Sequence, residues 1–497
     1  MSCMNSTRRM PHPLLRIAIV GSGTAGPAAA IYLARAGHAV TLFERAPQKL
    51  PVGAGFMLQP TGMAVLHQLG LAEALRPHIA TISKLYCRTK SGRVLLHLTY
   101  EELGSGFFGA GTHRATLLDI LLEAVQQAGA EIFWNTHIAK LTRDATQRPM
   151  LHDATGTTHG PYDLLLICDG AHSTLRDQSG VPARVSRYPW GALWFIGQRT
   201  PEFDPQVLWQ CVGSTRELTG FLPTGTQHDL LSLFWSIRLD HIDNWRQTPL
   251  EDWKRDILAL APQAESFLTQ IDSHSQVATA AYHDVRMKHW HGERVAILGD
   301  AAHALSPQLG QGVNLALMDA AVLAQSLASY SLPEALAHYS RTRRSHLRFY
   351  QFATRWTTPF FQSDLLPLGW LRDLVFPIIQ GIPPLRRQMT ATKPWRTSSK
   401  NNARRVSGRF EEMLKSWEDP SAQENVSMVM AAAMATEAAA VPAVAAVMAA
   451  VAATIPAATA VTRAAVAAVP AVRGAVVGSA VAISSPVTAA VAIRGDA

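Results

Sequence analysis

The sequence predicts an α/β protein. A parallel sheet covered by helices carries an inserted, mostly antiparallel β unit, and further helices follow. Three observations carry this expectation. A strand, glycine turn, helix, strand pattern fills residues 16–44. From about 188 to 283 the texture changes to aromatic, β-prone runs separated by turn residues. The chain then returns to a buried-strand pattern in "RVAILGDAAH", residues 294–303. A length of 497 residues exceeds one ordinary core and leaves room for two or three units.

The elements follow in order. "RIAIV" (16–20) is a β-rich run stopped by glycine, 24–36 reads as a helix, and "AVTLFE" (39–44) is a second buried-type strand. A βαβ unit of this kind implies parallel pairing. "LYCRTKSGRVLLHLTY" (85–100) is two strand-like runs around Lys90-Ser91-Gly92, so it reads as a hairpin leaving the parallel sheet. "RATLLDILLEAVQQAGAEIFWN" (114–135) is a helix ended by Gly129, then a strand. "YDLLLICDGAHSTLR" (162–176) is a buried strand running into a polar turn. In the second unit, "GALWFIGQRT", "VLWQCVG", "LLSLFWSIRL" and "VATAAYHDV" are strands, with one helix near 249–261. A long helix from Asn314 to about Tyr330 follows the return, and helical segments continue to about 389.

Composition excludes several classes. Cys3, Cys87, Cys168 and Cys211 have no CxxC or zinc spacing, so no metal is expected and the thiols read as reduced. The basic N-terminus has no apolar h-region, so no signal peptide is expected and the location reads as cytoplasmic. The net charge of +8 is concentrated in 341–348 and 385–409. These runs read as a solvated helix face and a disordered basic segment. No nucleic-acid module accompanies them. From Ser427 onward the chain is nearly all Ala and Val with scattered Pro and Thr. Ala438–Thr462 is uncharged and long enough to span a bilayer, but Pro442 and Pro456 interrupt it and alanine inserts weakly. The tail therefore reads as a disordered low-complexity appendage. Translation of a GC-rich gene out of its original frame would produce such a pattern.

The chemistry sits in three stretches. "GSGTAG" places Gly21, Gly23 and Gly26 in GxGxxG spacing, after a strand and at the start of a helix. The glycines permit a tight turn, backbone approach to a pyrophosphate, and close helix packing, while the helix N-terminus faces the phosphate charge. Glu44, at the end of the next strand, is placed to accept from a ribose diol. "CDGAHSTLR" offers Asp169, Gly170, Ser173 and Arg176 just past a buried strand. They read either as a capped turn or as the wall of a groove beside a dinucleotide. "RVAILGD" ends a strand on Asp300, which can accept from a polyol hydroxyl. Gly310 to Asn314 is a low-profile loop into a helix, against which a flat cofactor could lie. A plain helix cap at Asn314 explains the helix start but not the strand end.

Together these stretches resemble the group A flavoprotein monooxygenases, the para-hydroxybenzoate hydroxylase family, over about residues 15–390. The chain looks most like the branch of ubiquinone-biosynthesis hydroxylases, the 2-polyprenyl-6-methoxyphenol hydroxylase-like proteins. "HLRFYQFATRWTTPFFQSD" and "LRDLVFPIIQGIPPLRRQM" are similar to its C-terminal helices. The resemblance implies a Rossmann-type FAD-binding domain of the GR2 type with an inserted β substrate domain. The expected parts are 15–84, 107–187 and 284–345 for the FAD domain, 85–106 and 188–283 for the substrate domain. Residues 346–389 are C-terminal helices and 390–497 the tail.

Carried over by position, the resemblance implies that Gly21, Gly23 and Gly26 hold the FAD pyrophosphate. Glu44 and the adjoining Arg45 lie at the adenosine end, and Arg114 contacts the FAD. Asp169 serves both FAD and NAD(P)H. Asp300 meets the ribityl or pyrophosphate region, and Gly310, Gly312, Val313 and Asn314 approach the isoalloxazine. The implied reaction uses NADH or NADPH and O2, passes through a C4a-hydroperoxyflavin, and hydroxylates a small, electron-rich aromatic substrate. The apolar helices from 346 to 389 add the expectation of a lipophilic or bulky phenolic ring and of a peripheral contact with the inner membrane surface.

Two points depart from the family pattern. "QPTG" (59–62) stands where a Pro-Asn pair is more usual. No carboxylate–histidine or Tyr–Tyr pair is assignable as a phenol-deprotonating base, so the catalytic residue is unassigned. Trp194, Gln198, Trp209, Phe221 and Trp235 are candidates either for the substrate lining or for the core. A halogenase or lipid reductase is the alternative activity, but the WxWxIP of tryptophan halogenases is absent. A non-catalytic flavin-binding protein is disfavoured because all three motifs are intact.

Overall fold

A computed structural model describes residues 13–48, 55–103, 106–225 and 229–381. The tail from 390, its Ala438–Thr462 segment, the last residues of the expected C-terminal helices and Cys3 lie outside the described residues.

The first sheet has six strands in the order His291–Gly292, Val295–Ile297, Leu164–Ile167, Arg16–Val20, Ala39–Phe43 and Glu131–Phe133. All neighbours pair in parallel except the two-residue edge strand. The central strands are apolar on both faces, and Ile17, Ile19, Leu42 and Leu164–Ile167 are fully buried. Strands of that kind need cover on both sides, which is the usual state of a parallel sheet. Helices Ala25–Arg35, Arg114–Gln127 and Gly312–Ser329 belong to the same core cluster. Gly26 permits the tight crossover: a Cβ there would lie 2.0 Å from the Gly21 carbonyl oxygen.

The second sheet has seven strands: Ala278–Met287, Ala183–Gln198, Leu230–Arg238, Leu218–Pro223, Val207–Val212, Lys84–Thr89 and Val94–Thr99. The last two are the expected hairpin. They join the sheet through one parallel pair, Lys84–Thr89 with Val207–Val212, in an otherwise antiparallel array. Helix Leu250–Leu260 covers one face and buries Trp253 and Ile257 with Phe221, Leu233 and Trp235. Trp209 packs on the same cluster. Trp209, Phe221 and Trp235 are therefore held by the second core, and Gln198 is an exposed strand end whose backbone binds Gln270. Trp194 lies on the opposite face, which strand alternation assigns to Gln198 as well.

A small third sheet, Gly55–Leu58, Gly109–His113 and Ala80–Ile82, joins the two larger ones. It can abut the seven-stranded sheet because glycines stand at the contact. A Cβ on Gly111 would lie 2.0 Å from the Pro223 carbonyl oxygen, and one on Gly55 would lie 2.1 Å from Ser232 Oγ. After Gly312–Ser329 come helices Leu332–Phe361 and Leu366–Gly381.

One expectation needs correction. The run "RTRRSHLR" reads in sequence as a solvated face, which holds for the exposed Arg341, Arg344 and Arg348, but Arg343 is 0% and His346 3% exposed. The reason is a buried carboxylate, Asp319, on the neighbouring helix, whose Oδ1 accepts from Arg343 Nε at 2.7 Å.

Candidate functional site

Parallel strands all end on the same edge of a sheet, so residues far apart in sequence arrive in one cleft. Here Arg16–Val20 exits into Gly21, Ala39–Phe43 into Glu44, Leu164–Ile167 into Asp169, and Val295–Ile297 into Gly299–Asp300. One cavity is lined by Gly21, Gly23, Glu44, Arg45, Arg114, Asp169, Asp300, Gly312 and Val313. Gly26, Gly310 and Asn314 do not line it.

Each wall has a local cause. Gly21 takes φ +106°, and a Cβ there would lie 2.4 Å from the Cys168 carbonyl oxygen. A Cβ on Gly23 would meet nothing within 4 Å, because that glycine faces the open cleft. The N-terminus of Ala25–Arg35 opens beside it and favours negative charge. Glu44 Oε2 accepts from the Ser22 backbone N–H at 2.8 Å and its hydroxyl at 2.7 Å. Its Oε1 accepts from the Ala46 N–H at 2.9 Å. The carboxylate is thereby fixed, with a lone pair on Oε1 left for a sugar hydroxyl.

The second and third motifs are tied to each other. Ser173 Oγ caps helix Thr174–Gln178 by accepting from the Arg176 N–H at 2.9 Å. The buried Arg176 guanidinium donates to Ala171 O at 3.2 Å, Ser173 O at 3.2 Å and Ala301 O at 3.1 Å. Arg176 therefore does not face the cleft but cross-links its two walls. Burial pushes the Asp169 carboxyl up, against Ser173, Arg176 and Arg45, which pull it down.

Asn314 is not the helix cap; Gln311 holds that position. The Asn314 side chain is buried, accepting from the Gln59 N–H at 2.9 Å and donating to Gly310 O at 3.2 Å. A Cβ on Gly62 would lie 2.3 Å from Asn314 Oδ1, which accounts for the small residue in "QPTG". Asn314 thus fixes the loop from below. His303 is structural, its Nε2–H donating to the Asp319 carboxylate at 2.6 Å.

Sequence reasoning missed Ser22, Thr136, His137, Ile138 and His172, which also border the cleft. Ser22 lies inside the glycine motif, whose regular spacing drew attention away from the intervening positions. His172 packs edge-on to His283 with centroids 4.2 Å apart, a contact between distant segments.

The residues present fit a dinucleotide with a sugar alcohol. Asp169 Oδ1 is buried without a hydrogen-bond partner, a cost that a ligand hydroxyl would remove. Gly23 leaves space for a pyrophosphate, and Arg45 and Arg114 line the same cavity. Among the described residues no cluster of His, Cys, Asp and Glu could hold a metal ion.

Comparisons with known proteins agree with this geometry. Residues 15–350 match the FAD binding domain family. The chain is 29% identical over 314 residues to a 2-heptyl-3-hydroxy-4(1H)-quinolone synthase of Mycobacteroides abscessus, covering 62% of this chain and 80% of that protein. It is 26% identical over 344 residues to a 3-hydroxybenzoate 6-hydroxylase of Polaromonas naphthalenivorans, covering 66% and 84%. An HpxO variant of Klebsiella pneumoniae complexed with FAD superposes with a TM-score of 0.67 at 19% identity, over 76% of this chain and 98% of that one. That likeness concerns the fold.

Proposed function

Since this chain belongs to the FAD binding domain family and is an FAD-dependent aromatic monooxygenase, we propose that it hydroxylates a lipophilic, electron-rich ring with NAD(P)H as reductant. The observation that carries this reading is the convergence of four strand ends on one cleft with an orphaned Asp169 oxygen.

FAD, when bound, supplies the activation of O2 and the transfer of one oxygen atom to the ring. The chain supplies the rest. Gly21, Gly23 and the helix end behind them would hold the pyrophosphate, with Arg45 and Arg114 balancing its charge. Glu44 would take the adenosine ribose. Asp169 and Asp300 would accept from the hydroxyl-bearing linker. Gly312 and Val313 would border the flat ring system, while Gly26, Gly310 and Asn314 keep the helix and the loop in place.

The substrate side is read from the face of the seven-stranded sheet opposite its helix. Strand alternation puts Trp194 and Phe234 there, directly paired, with ring centroids 5.4 Å apart. Phe234 packs against the group containing Met57, Tyr100 and Leu222, next to the small connecting sheet. An aromatic, apolar wall excludes water and favours an apolar ring.

The test is a substrate screen on the purified yellow protein. Alkylated phenols and hydroxyquinolones should raise NAD(P)H consumption and yield a product heavier by one oxygen atom. Preference for a small hydrophilic hydroxybenzoate would overturn the lipophilic reading. Chloride incorporation without added oxygen would replace it with a halogenase.

A further inference from the structure

We propose that helix Leu366–Gly381 docks this protein on an anionic lipid surface. The inner face of the helix is fastened to the fold. Arg372, fully buried, donates to Phe360 O at 3.0 Å, Gly213 O at 3.1 Å and Ser214 O at 3.3 Å. Gly369 permits a close approach to Thr215, and Phe376 packs edge-on to Phe361 with centroids 5.6 Å apart. Gln380 accepts from the His97 N–H at 3.3 Å, so the helix lies along the edge strand Val94–Thr99. The helix is a fixed ridge on the molecule.

Its outer face is apolar. Leu366, Trp370, Leu374 and Ile378 recur every four residues and so form one line along the helix. Trp370 is 77% exposed, Leu374 51% and Ile378 56%. Of the ten exposed large hydrophobic residues described, five fall between Leu365 and Ile378. Scattered single exposures need no explanation, but a line of this kind on one rigid helix does.

Charge decides between occupants. Residues 382–409, which follow directly, contain eight Lys and Arg and no Asp or Glu. An apolar line with an indole at its centre, continued by a polybasic run, matches a headgroup layer with negative surface potential. An uncharged apolar groove on a protein partner would not use the basic run. The contact is peripheral. The described helix that is long and apolar enough to cross a membrane, Gly312–Ser329, is 67% buried in the core. Docking would bring the enzyme to where lipophilic rings concentrate, yet it does not depend on the substrate reading, since it is measured without NAD(P)H.

The flavin-loaded full chain is floated with phosphatidylglycerol–phosphatidylcholine vesicles and with phosphatidylcholine vesicles alone. Binding should be confined to the anionic vesicles and should weaken as salt rises over the range in which the Debye length shrinks. Trp370→Ser with Leu374→Ser should lower affinity at least about tenfold, roughly 1.4 kcal/mol, with unchanged FAD content and Tm. Truncation after Gly381 should lower it by a similar factor with the ridge intact. The proposal is overturned by no binding to anionic vesicles, equal binding to neutral ones, or full affinity in either variant. It is also overturned if the parent is a dimer that the double variant dissociates, which would assign the ridge to a second copy.

Discussion

The Asp319 carboxylate accepts the backbone N–H of Gly299, twenty residues earlier, at 2.9 Å. The same oxygen meets His303 Nε2 at 2.6 Å, and the other accepts from Arg343 Nε at 2.7 Å. Gly299, at φ +61°, directly precedes Asp300 and lines the cleft. The wall that presents Asp300 is thus fixed from behind by a buried ion cluster. Burial alone would push the Asp319 carboxyl up, but His303, Arg343 and the Gly299 amide outweigh it and hold the group at about 2.

Asp319→Ala should therefore be among the most damaging single changes. It leaves the Arg343 cation buried without its counter-charge, a loss of about 3–5 kcal/mol. Urea denaturation of the flavin-free protein should show it, and FAD affinity should fall as well because the Gly299–Asp300 turn loses its anchor. Parent-like stability would mean that the cluster is not what holds this wall.

Gly23 and Gly21 should respond in opposite ways. The added side chain of Gly23→Val points into the open cleft, so the variant should fold with parent-like Tm and purify colourless. Gly21→Ala forces a Cβ into the Cys168 backbone at positive φ and should lower stability itself. A yellow Gly23→Val protein of normal stoichiometry would remove the pyrophosphate assignment.

Asp300→Ala should separate binding from folding. Its carboxylate lines the cleft and is exposed, with Oδ1 3.9 Å from where a Gly312 Cβ would stand. Loss of a charge-assisted hydrogen bond to a ligand hydroxyl costs about 1.5–3 kcal/mol, or roughly one to two decades in FAD affinity. The apoprotein Tm should not move. Equal FAD affinities in a fluorescence titration would contradict the role.

Stability should fall on mild acidification. Burial, then the Arg343 charge, holds His346 well below the ordinary 6.5. Burial, then His172, lowers His283. A histidine depressed in the folded state is neutral where the unfolded chain is protonated. The unfolded chain then binds more protons, so stability is full above the unfolded value and declines as pH drops below it. Asp319 acts in the same sense at lower pH: its contribution is present above 3.8 and is lost as pH falls toward about 2. The urea midpoint should drop between about pH 7 and pH 5, and His346→Gln should flatten the drop. A midpoint independent of pH across that range would contradict it.

Truncation after Pro420 should leave FAD content, Tm and NAD(P)H oxidation unchanged. Ala and Val with interspersed prolines bury too little surface to build a specific core. A truncated protein that loses its flavin would show the tail to be functional.

The parts of this architecture legible in the sequence are those written locally. Gly21 to Glu44, Asp169 and Asp300 each stand at a strand exit, and strand, turn and helix signals there lie within one short stretch. The ion cluster was not legible in that way. Arg343 looked like one more basic residue in "RTRRSHLR", because its partner Asp319 is on another helix. A sign was nevertheless present: Ala335, Leu336, Tyr339, Arg343, Leu347 and Tyr350 share the buried phase of their helix. The parallel pairing of Lys84–Thr89 with Val207–Val212 joins segments more than a hundred residues apart and leaves no local mark. Nor did the sequence separate Trp194 from Trp235 one strand away, because one step of alternation decides between the helix-covered face and the opposite one.

That this chain transfers one atom of O2 to an aromatic ring is tested most directly by turnover under 18O2. Purified flavoprotein, NAD(P)H and the best substrate from the screen should give a ring-hydroxylated product carrying one heavy oxygen, with the second recovered in water. A product that takes its oxygen from water, or NAD(P)H consumption that yields only hydrogen peroxide with every aromatic substrate tried, would contradict it.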